Sequence, residues 1–133
     1  GIGNVIQGLL EKENCLTPNI HILSNTFIFD KDGYATDYKD GIIHVFNKTE
    51  SKIENKKYLS MISDRKNVIL LGDSIGDVGM VDESKVNTLI KIGFLNKNIN
   101  KNLEVYKKMF DVIITGDGSM NYVNELFREL END

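Results

Sequence analysis

Apolar and polar positions alternate along this chain in two distinct rhythms. Short unbroken apolar runs, Val68-Ile-Leu-Leu71, Leu89-Ile90 with Ile92 just beyond, and Val112-Ile-Ile114, mark strands covered on both faces, since a strand buried on two sides has no polar alternation. Between them, apolar residues recur at three- and four-residue spacing, the pattern of amphipathic helices. Residues 4–13 predict a short helix, Pro18 and Asn19 interrupt it, and Ile20-His-Ile-Leu23 predicts a strand. Phe27–Asp30 and Gly41–Phe46 read as the two strands of a hairpin, with Asp30-Lys-Asp-Gly33 supplying the turn. Residues 51–62 predict a helix, 67–72 a strand, 77–81 a short helix, 88–94 a strand, 100–110 a helix and 111–115 a strand. Ser119 has the chemistry of an N-cap for a last helix running to about residue 130. The succession predicts an α/β fold, a Rossmann-like, mostly parallel sheet with a β-hairpin, without repeats or an internal domain boundary.

Composition narrows the function classes. A chain of 133 residues, 41% hydrophobic, builds the core of one domain. Its net charge of -4 and pI near 5.2, with no block of Lys or Arg, argue against binding a nucleic-acid polymer, while nucleotides as small substrates stay open. Cys15 stands alone, so neither an internal disulfide nor a multi-cysteine metal site can form, which fits a reducing compartment. No apolar stretch approaches the roughly 18–20 residues of a membrane span, and no charged-then-apolar signal segment opens the chain. Gly1-Ile-Gly-Asn4 instead leads straight into the first helix, which suggests a piece of a longer protein.

The densest chemistry lies in Val68-Ile-Leu-Leu-Gly-Asp-Ser-Ile-Gly-Asp77. The apolar run delivers Asp73 to the carboxyl end of a buried strand, where ligands of parallel sheets sit. Gly72 and Gly76 are expected to permit a tight turn and a close backbone approach, with Asp77 near the start of the following helix. Asp77 as a helix cap accounts for one carboxylate. A second one beside Ser74 is costly unless a cation or a hydrogen-bond network compensates it. Hard oxygen ligands point to Mg²⁺ and a phosphate rather than zinc.

Three other motifs compete. Gly72-Asp-Ser74 matches the start of the Gly-Asp-Ser-Leu nucleophile block of serine esterases, but His21 and His44 both lie upstream, and without a histidine base the hydroxyl is a weak nucleophile. Both histidines alternate with apolar neighbours and read as packed or edge residues. Asp30-Lys-Asp32 follows an apolar strand, as the nucleophile pair of aspartate phosphatases does, yet Tyr34 replaces the usual threonine and the turn reading accounts for both acids and Gly33. Lys48 is either solvated surface or a strand-end cation able to neutralise a phosphate and its attacking carboxylate. Thr115-Gly-Asp-Gly-Ser119 reads as a turn and a cap, with Asp117 as a functional acid the lesser alternative.

Taken together, Gly1-Ile-Gly-Asn-Val5, Ile43-His-Val-Phe-Asn-Lys48, Leu70-Leu-Gly-Asp-Ser-Ile-Gly-Asp77 and Leu89-Ile-Lys-Ile-Gly-Phe-Leu-Asn96 closely resemble the C-terminal part of the cytosolic pyrimidine 5'-nucleotidases of the haloacid dehalogenase superfamily. The similarity runs in order over nearly the whole chain. It implies a partial haloacid dehalogenase core, a cytoplasmic location, and Mg²⁺-dependent hydrolysis of nucleoside 5'-monophosphates such as UMP and CMP through an aspartyl-phosphate. By the same resemblance Asp73 binds Mg²⁺, Asp77 supports it, and Lys48 steadies nucleophile and phosphate, with Ser74 beside the substrate. The family's nucleophile strand, its helical cap and a serine just before the segment matching Gly1 have no counterpart here. The resemblance therefore makes residues 1–133 the C-terminal section of a hydrolase core, inactive alone and prone to self-association through edges uncovered by truncation. The rivals are another phosphatase of the superfamily and a non-catalytic module binding phosphate or a partner.

Overall fold

The computed structural model describes residues 1–39 and 60–132, which fall into two compact units, Gly1–Lys48 and Thr49–Asp133. The first unit opens with helix α1 (Gly3–Lys12), close to its predicted bounds. It is followed by an antiparallel hairpin of β1 (Thr26–Phe29) and β2 (Ala35–Lys39). Helix and hairpin meet through Asn4, whose Oδ1 accepts the Phe27 N–H at 2.8 Å, and through Gly3, whose N–H donates to the Asn25 carbonyl at 2.6 Å. A side chain at position 3 would stand 2.8 Å from the Ser24 hydroxyl, so glycine is what lets α1 approach this closely. Phe27 stacks on Tyr38 across the hairpin, a cross-strand aromatic pair of the kind that fixes register.

Two sequence expectations change here. The segment Ile20–Leu23 joins no ladder among the described residues. Ile20 and Leu23 are 36% and 48% exposed, and an apolar run without a paired edge does not become a strand. The strand returning from the turn is Ala35–Lys39, earlier than the Gly41–Phe46 run, because the four-residue Asp30–Gly33 turn closes the hairpin at once. Residues 41–46, most of the 51–62 helix, His44 and Lys48 lie outside the described residues; 60–62 are helical as expected.

The second unit contains a parallel sheet in the order β3 (Asn67–Gly72), β4 (Thr88–Leu95) and β5 (Val112–Thr115). Gly72 is level with Gly93, and Leu95 with Thr115. Two 3₁₀ helices, Ile75–Met80 and Glu83–Lys85, lead from β3 to β4, while helix α2 (Ile99–Met109) connects β4 to β5 and α3 (Asn121–Asn132) closes the chain. The Ser119 hydroxyl accepts the Asn121 N–H at 3.3 Å, but the helix starts one residue later than expected, with Met120 at the N-cap position, so Ser119 supports the helix from just outside it.

The core follows from the same periodicities. Ile92 is fully buried at the centre of β4, and Leu95, Tyr106 and Phe110 form a cluster against which Ile99, Leu103 and Ile113 pack. Ile99, Leu103, Tyr106 and Phe110 are spaced by four, three and four residues, one face of a helix. Burying such a side chain contributes about 1.5–3 kcal/mol. Phe110 lies over Gly93, where an added Cβ would come 2.7 Å from its ring, so this glycine sets how near α2 can settle on the sheet. Among the described residues no helix is long and apolar enough to cross a membrane.

Candidate functional site

All three parallel strands end on one edge of the sheet, and their carboxyl-terminal loops gather the chemistry. At the tip of β3, Asp77 is 3% exposed and folds its carboxylate back over the strand end. Its Oδ2 accepts the Asp73 N–H at 3.1 Å, the Ser74 N–H at 3.0 Å and the Ser74 hydroxyl at 3.0 Å. The Asp77 N–H in turn donates to the Ser74 carbonyl at 3.1 Å. Three donors on one oxygen satisfy a buried carboxylate that would otherwise be strongly disfavoured. The loop is thereby closed around its own acid.

Gly72 makes this possible by absence of bulk. A Cβ there would sit 2.7 Å from the Asp77 Cβ and 3.2 Å from Oδ2. Its backbone, like that of Gly76, does not take the left-handed conformation that glycine favours; among the described glycines only Gly33 and Gly116 do. The glycine signal therefore stands for close approach at Gly72, while Gly76 lies inside the 3₁₀ helix that begins at Ile75, slightly before the helix expected at 77–81.

Asp73 is exposed, and its carboxylate takes no hydrogen bond from any described residue, although its N–H and carbonyl are both held. The carbonyl accepts the Tyr106 hydroxyl at 2.7 Å. Tyr106 is 6% exposed and stacks on Phe110 with centroids 5.2 Å apart. Burial pushes the Tyr106 phenol above its usual value of 10.0, and the negative charges of Asp73 and Asp77 push it the same way. The hydroxyl is thus a proton donor at neutral pH. Sequence reading did not find Tyr106, since its periodicity marks only a core position and its partner lies 33 residues away.

The neighbouring tips are tied together as well. Asn96 Oδ1, just past β4, accepts the Asp117 N–H at 3.2 Å, and the Gly116 N–H donates to the Leu95 carbonyl at 3.3 Å. Gly116 and Asp117 both have positive φ, 65° and 54°, so the loop after β5 turns sharply at the sheet edge, as the turn reading anticipated. The competing acidic motif is also resolved as a turn. Asp30 Oδ1 accepts the Asp32 and Tyr34 N–H groups at 2.9 and 2.8 Å, and Gly33 takes φ 85°. His21 is exposed.

The structure therefore brings Asp73, Ser74 and Asp77 together and leaves Lys48 outside the described residues. Among those residues no three His, Cys, Asp or Glu side chains assemble a metal cage. The exposed Asp73 carboxylate is a hard oxygen donor of the kind Mg²⁺ takes, one or two carboxylates with water and phosphate completing its shell.

This architecture defines a class. The chain aligns with cytosolic 5'-nucleotidase IIIB, solved bound to cytidine, with a TM-score of 0.87 at 32% identity, over 99% of this chain and 45% of that one. The fold is accordingly that of a haloacid-dehalogenase-type nucleotidase core, present in part. More specifically, the pyrimidine 5'-nucleotidase (UMPH-1) family model matches residues 1–131, and the chain belongs to that family. Similar proteins include the 7-methylguanosine phosphate-specific 5'-nucleotidases of Mus musculus, 37% identical over 131 residues, and of Drosophila melanogaster, 32% identical over 133 residues. Each alignment covers 98% of this chain but only 44% and 41% of the relative, so the chain spans less than half the length of these curated relatives.

Proposed function

We propose that this chain supplies the metal-binding part of a cytoplasmic, Mg²⁺-dependent 5'-nucleotidase that hydrolyses nucleoside 5'-monophosphates to nucleoside and phosphate. The observation that supports it most is the exposed carboxylate of Asp73 at the carboxyl end of parallel strand β3, which takes no hydrogen bond from any described residue and stands beside a loop that Asp77 closes. Mg²⁺, when bound, supplies positive charge to the phosphate oxygens. Asp73 provides its protein ligand. Asp77 positions that ligand through the Asp73 and Ser74 amides, and Ser74, whose hydroxyl donates to Asp77, contributes to substrate binding from the same loop. Lys48 neutralises charge on the phosphate and its nucleophile. The attacking aspartate, which forms the aspartyl-phosphate, belongs to a segment outside residues 1–133, so the chain alone is inactive.

The family description points to pyrimidine nucleotides and the names of the relatives to 7-methylguanosine phosphate, so UMP, CMP and 7-methylguanosine 5'-monophosphate are the substrates to assay. The test measures phosphate release with Mg²⁺ by the chain alone and by the chain mixed with the N-terminal remainder of the mouse relative. No release alone, and release on mixing that Asp73→Asn removes, is the expected result. Release by the chain alone would overturn the assignment of the nucleophile elsewhere. A mixture in which Asp73→Asn works as well as the unaltered chain would overturn the metal assignment.

A further inference from the structure

We infer that Tyr106 is a positioning residue for the Asp73 carboxylate, acting through the main chain; this rests on the reading of Asp73 as a metal ligand. The Asp73 side chain has no described hydrogen-bond partner of its own, so its direction is set by how its peptide groups are held. On one side the Asp73 N–H is fixed by Asp77 at 3.1 Å. On the other its carbonyl is fixed by the Tyr106 hydroxyl at 2.7 Å. Asp77 sits in the same loop and moves with it, whereas Tyr106 belongs to α2 and is clamped by the core.

That clamp is built from well-packed parts. Tyr106 is 6% exposed and stacked on Phe110, and Phe110 lies against Gly93 in the middle strand of the sheet. The phenol therefore ties the main chain of Asp73 to the core cluster, against which Val78 of the following 3₁₀ helix also packs. A cation site with a single protein carboxylate depends on such support, because a loose ligand pays an ordering cost at each binding event. With Tyr106 in place, Asp73 is ordered before the metal arrives.

The test uses Tyr106→Phe, which keeps the ring and its stacking and removes only the donor, with Tyr106→Met as a second variant lacking the hydroxyl. Mn²⁺ replaces Mg²⁺ as a paramagnetic probe, its affinity for the 133-residue chain read from amide line broadening, and amide hydrogen exchange is read at Asp73 and Ser74. Loss of one hydrogen bond is expected to speed exchange at these two amides and weaken Mn²⁺ binding, each by about three- to tenfold. Exchange within β4 should be unchanged. Val123→Ala, which opens a cavity in the same unit, controls for general loosening and should leave Mn²⁺ affinity as it was.

Unchanged exchange at Asp73 and Ser74 would overturn the clamp. Faster exchange with unchanged Mn²⁺ affinity would overturn the positioning role, and equal weakening by Val123→Ala would reduce Tyr106 to ordinary packing. Asp73→Asn separates this inference from the reading beneath it. If that variant binds Mn²⁺ as the unaltered chain does, or the unaltered chain binds none, Asp73 is not the ligand, and the positioning role falls with it whatever the exchange data say about the clamp.

Discussion

The chain carries two acidic loops that look alike in sequence, Asp30-Lys-Asp-Gly33 in the first unit and Asp73-Ser-Ile-Gly-Asp77 in the second. In both, one carboxylate oxygen is occupied by the amides of its own turn: Asp30 holds the Asp32 and Tyr34 N–H groups, and Asp77 holds those of Asp73 and Ser74. The difference lies in the strand that delivers them. β1 is paired with β2 in a two-stranded hairpin whose turn is exposed, so the remaining Asp32 carboxylate simply meets water. β3 belongs to a parallel sheet and ends against buried Asp77, so the remaining Asp73 carboxylate stands at an edge where strand tips converge. Similar motifs thus give an exposed hairpin turn in one place and a loop held over the tip of a parallel strand in the other.

The sharpest way to break this comparison is to remove the two turn-holding acids in parallel. Asp77→Ala orphans two part-buried main-chain donors and a hydroxyl and is expected to cost about 2 kcal/mol in urea unfolding, by the cost of polar groups left unsatisfied away from water. Asp30→Ala, whose donors can turn to water, should cost clearly less. Equal losses would show that burial does not separate the loops.

Glycine substitutions probe the same contrast at smaller amplitude. Gly72→Ala forces the Asp77 side chain away and should cost about 1–3 kcal/mol, as overpacking does. Gly33→Ala meets no atom within 4 Å, but its φ of 85° is strained for alanine, a cost of about 1 kcal/mol. Combining each with its acid variant sharpens the reading. Gly72→Ala should add little once Asp77 is alanine, since its clash is with that side chain, whereas Gly33→Ala should add nearly its full cost to Asp30→Ala. Full additivity at Gly72 in urea unfolding would contradict the packing described. Smallest of all should be the stability effect of Asp73→Asn, within about 0.5 kcal/mol in the same measurement, because that exposed carboxylate makes no described hydrogen bond.

Much of this was legible beforehand where a single physical requirement dominated. The unbroken apolar run of β3 predicted a strand over residues 67–72, and it is observed with those bounds, although as an edge strand among the described residues it buries only Leu70 and Gly72 rather than both faces throughout. The Asp30–Gly33 turn was readable because Asp, Asp and Gly each have a local reason to be there. Ile20–Leu23 misled, since apolar content favours a strand only where an edge is available to pair with. The geometry around Asp73 was hidden for a different reason. The link from the Tyr106 hydroxyl to the Asp73 carbonyl joins residues whose spacing carries no periodic signature, and Gly72 reads identically whether it serves a turn or a close contact.

The proposed metal role separates the two loops by their exposed carboxylates, Asp73 and Asp32. Calorimetric titration of Mg²⁺ into the 133-residue chain and its Asp73→Asn and Asp32→Asn variants addresses this directly. Binding that survives in Asp32→Asn and vanishes in Asp73→Asn is the expected result. Binding lost in Asp32→Asn and retained in Asp73→Asn would place the cation in the hairpin turn and contradict the assignment of the β3 tip.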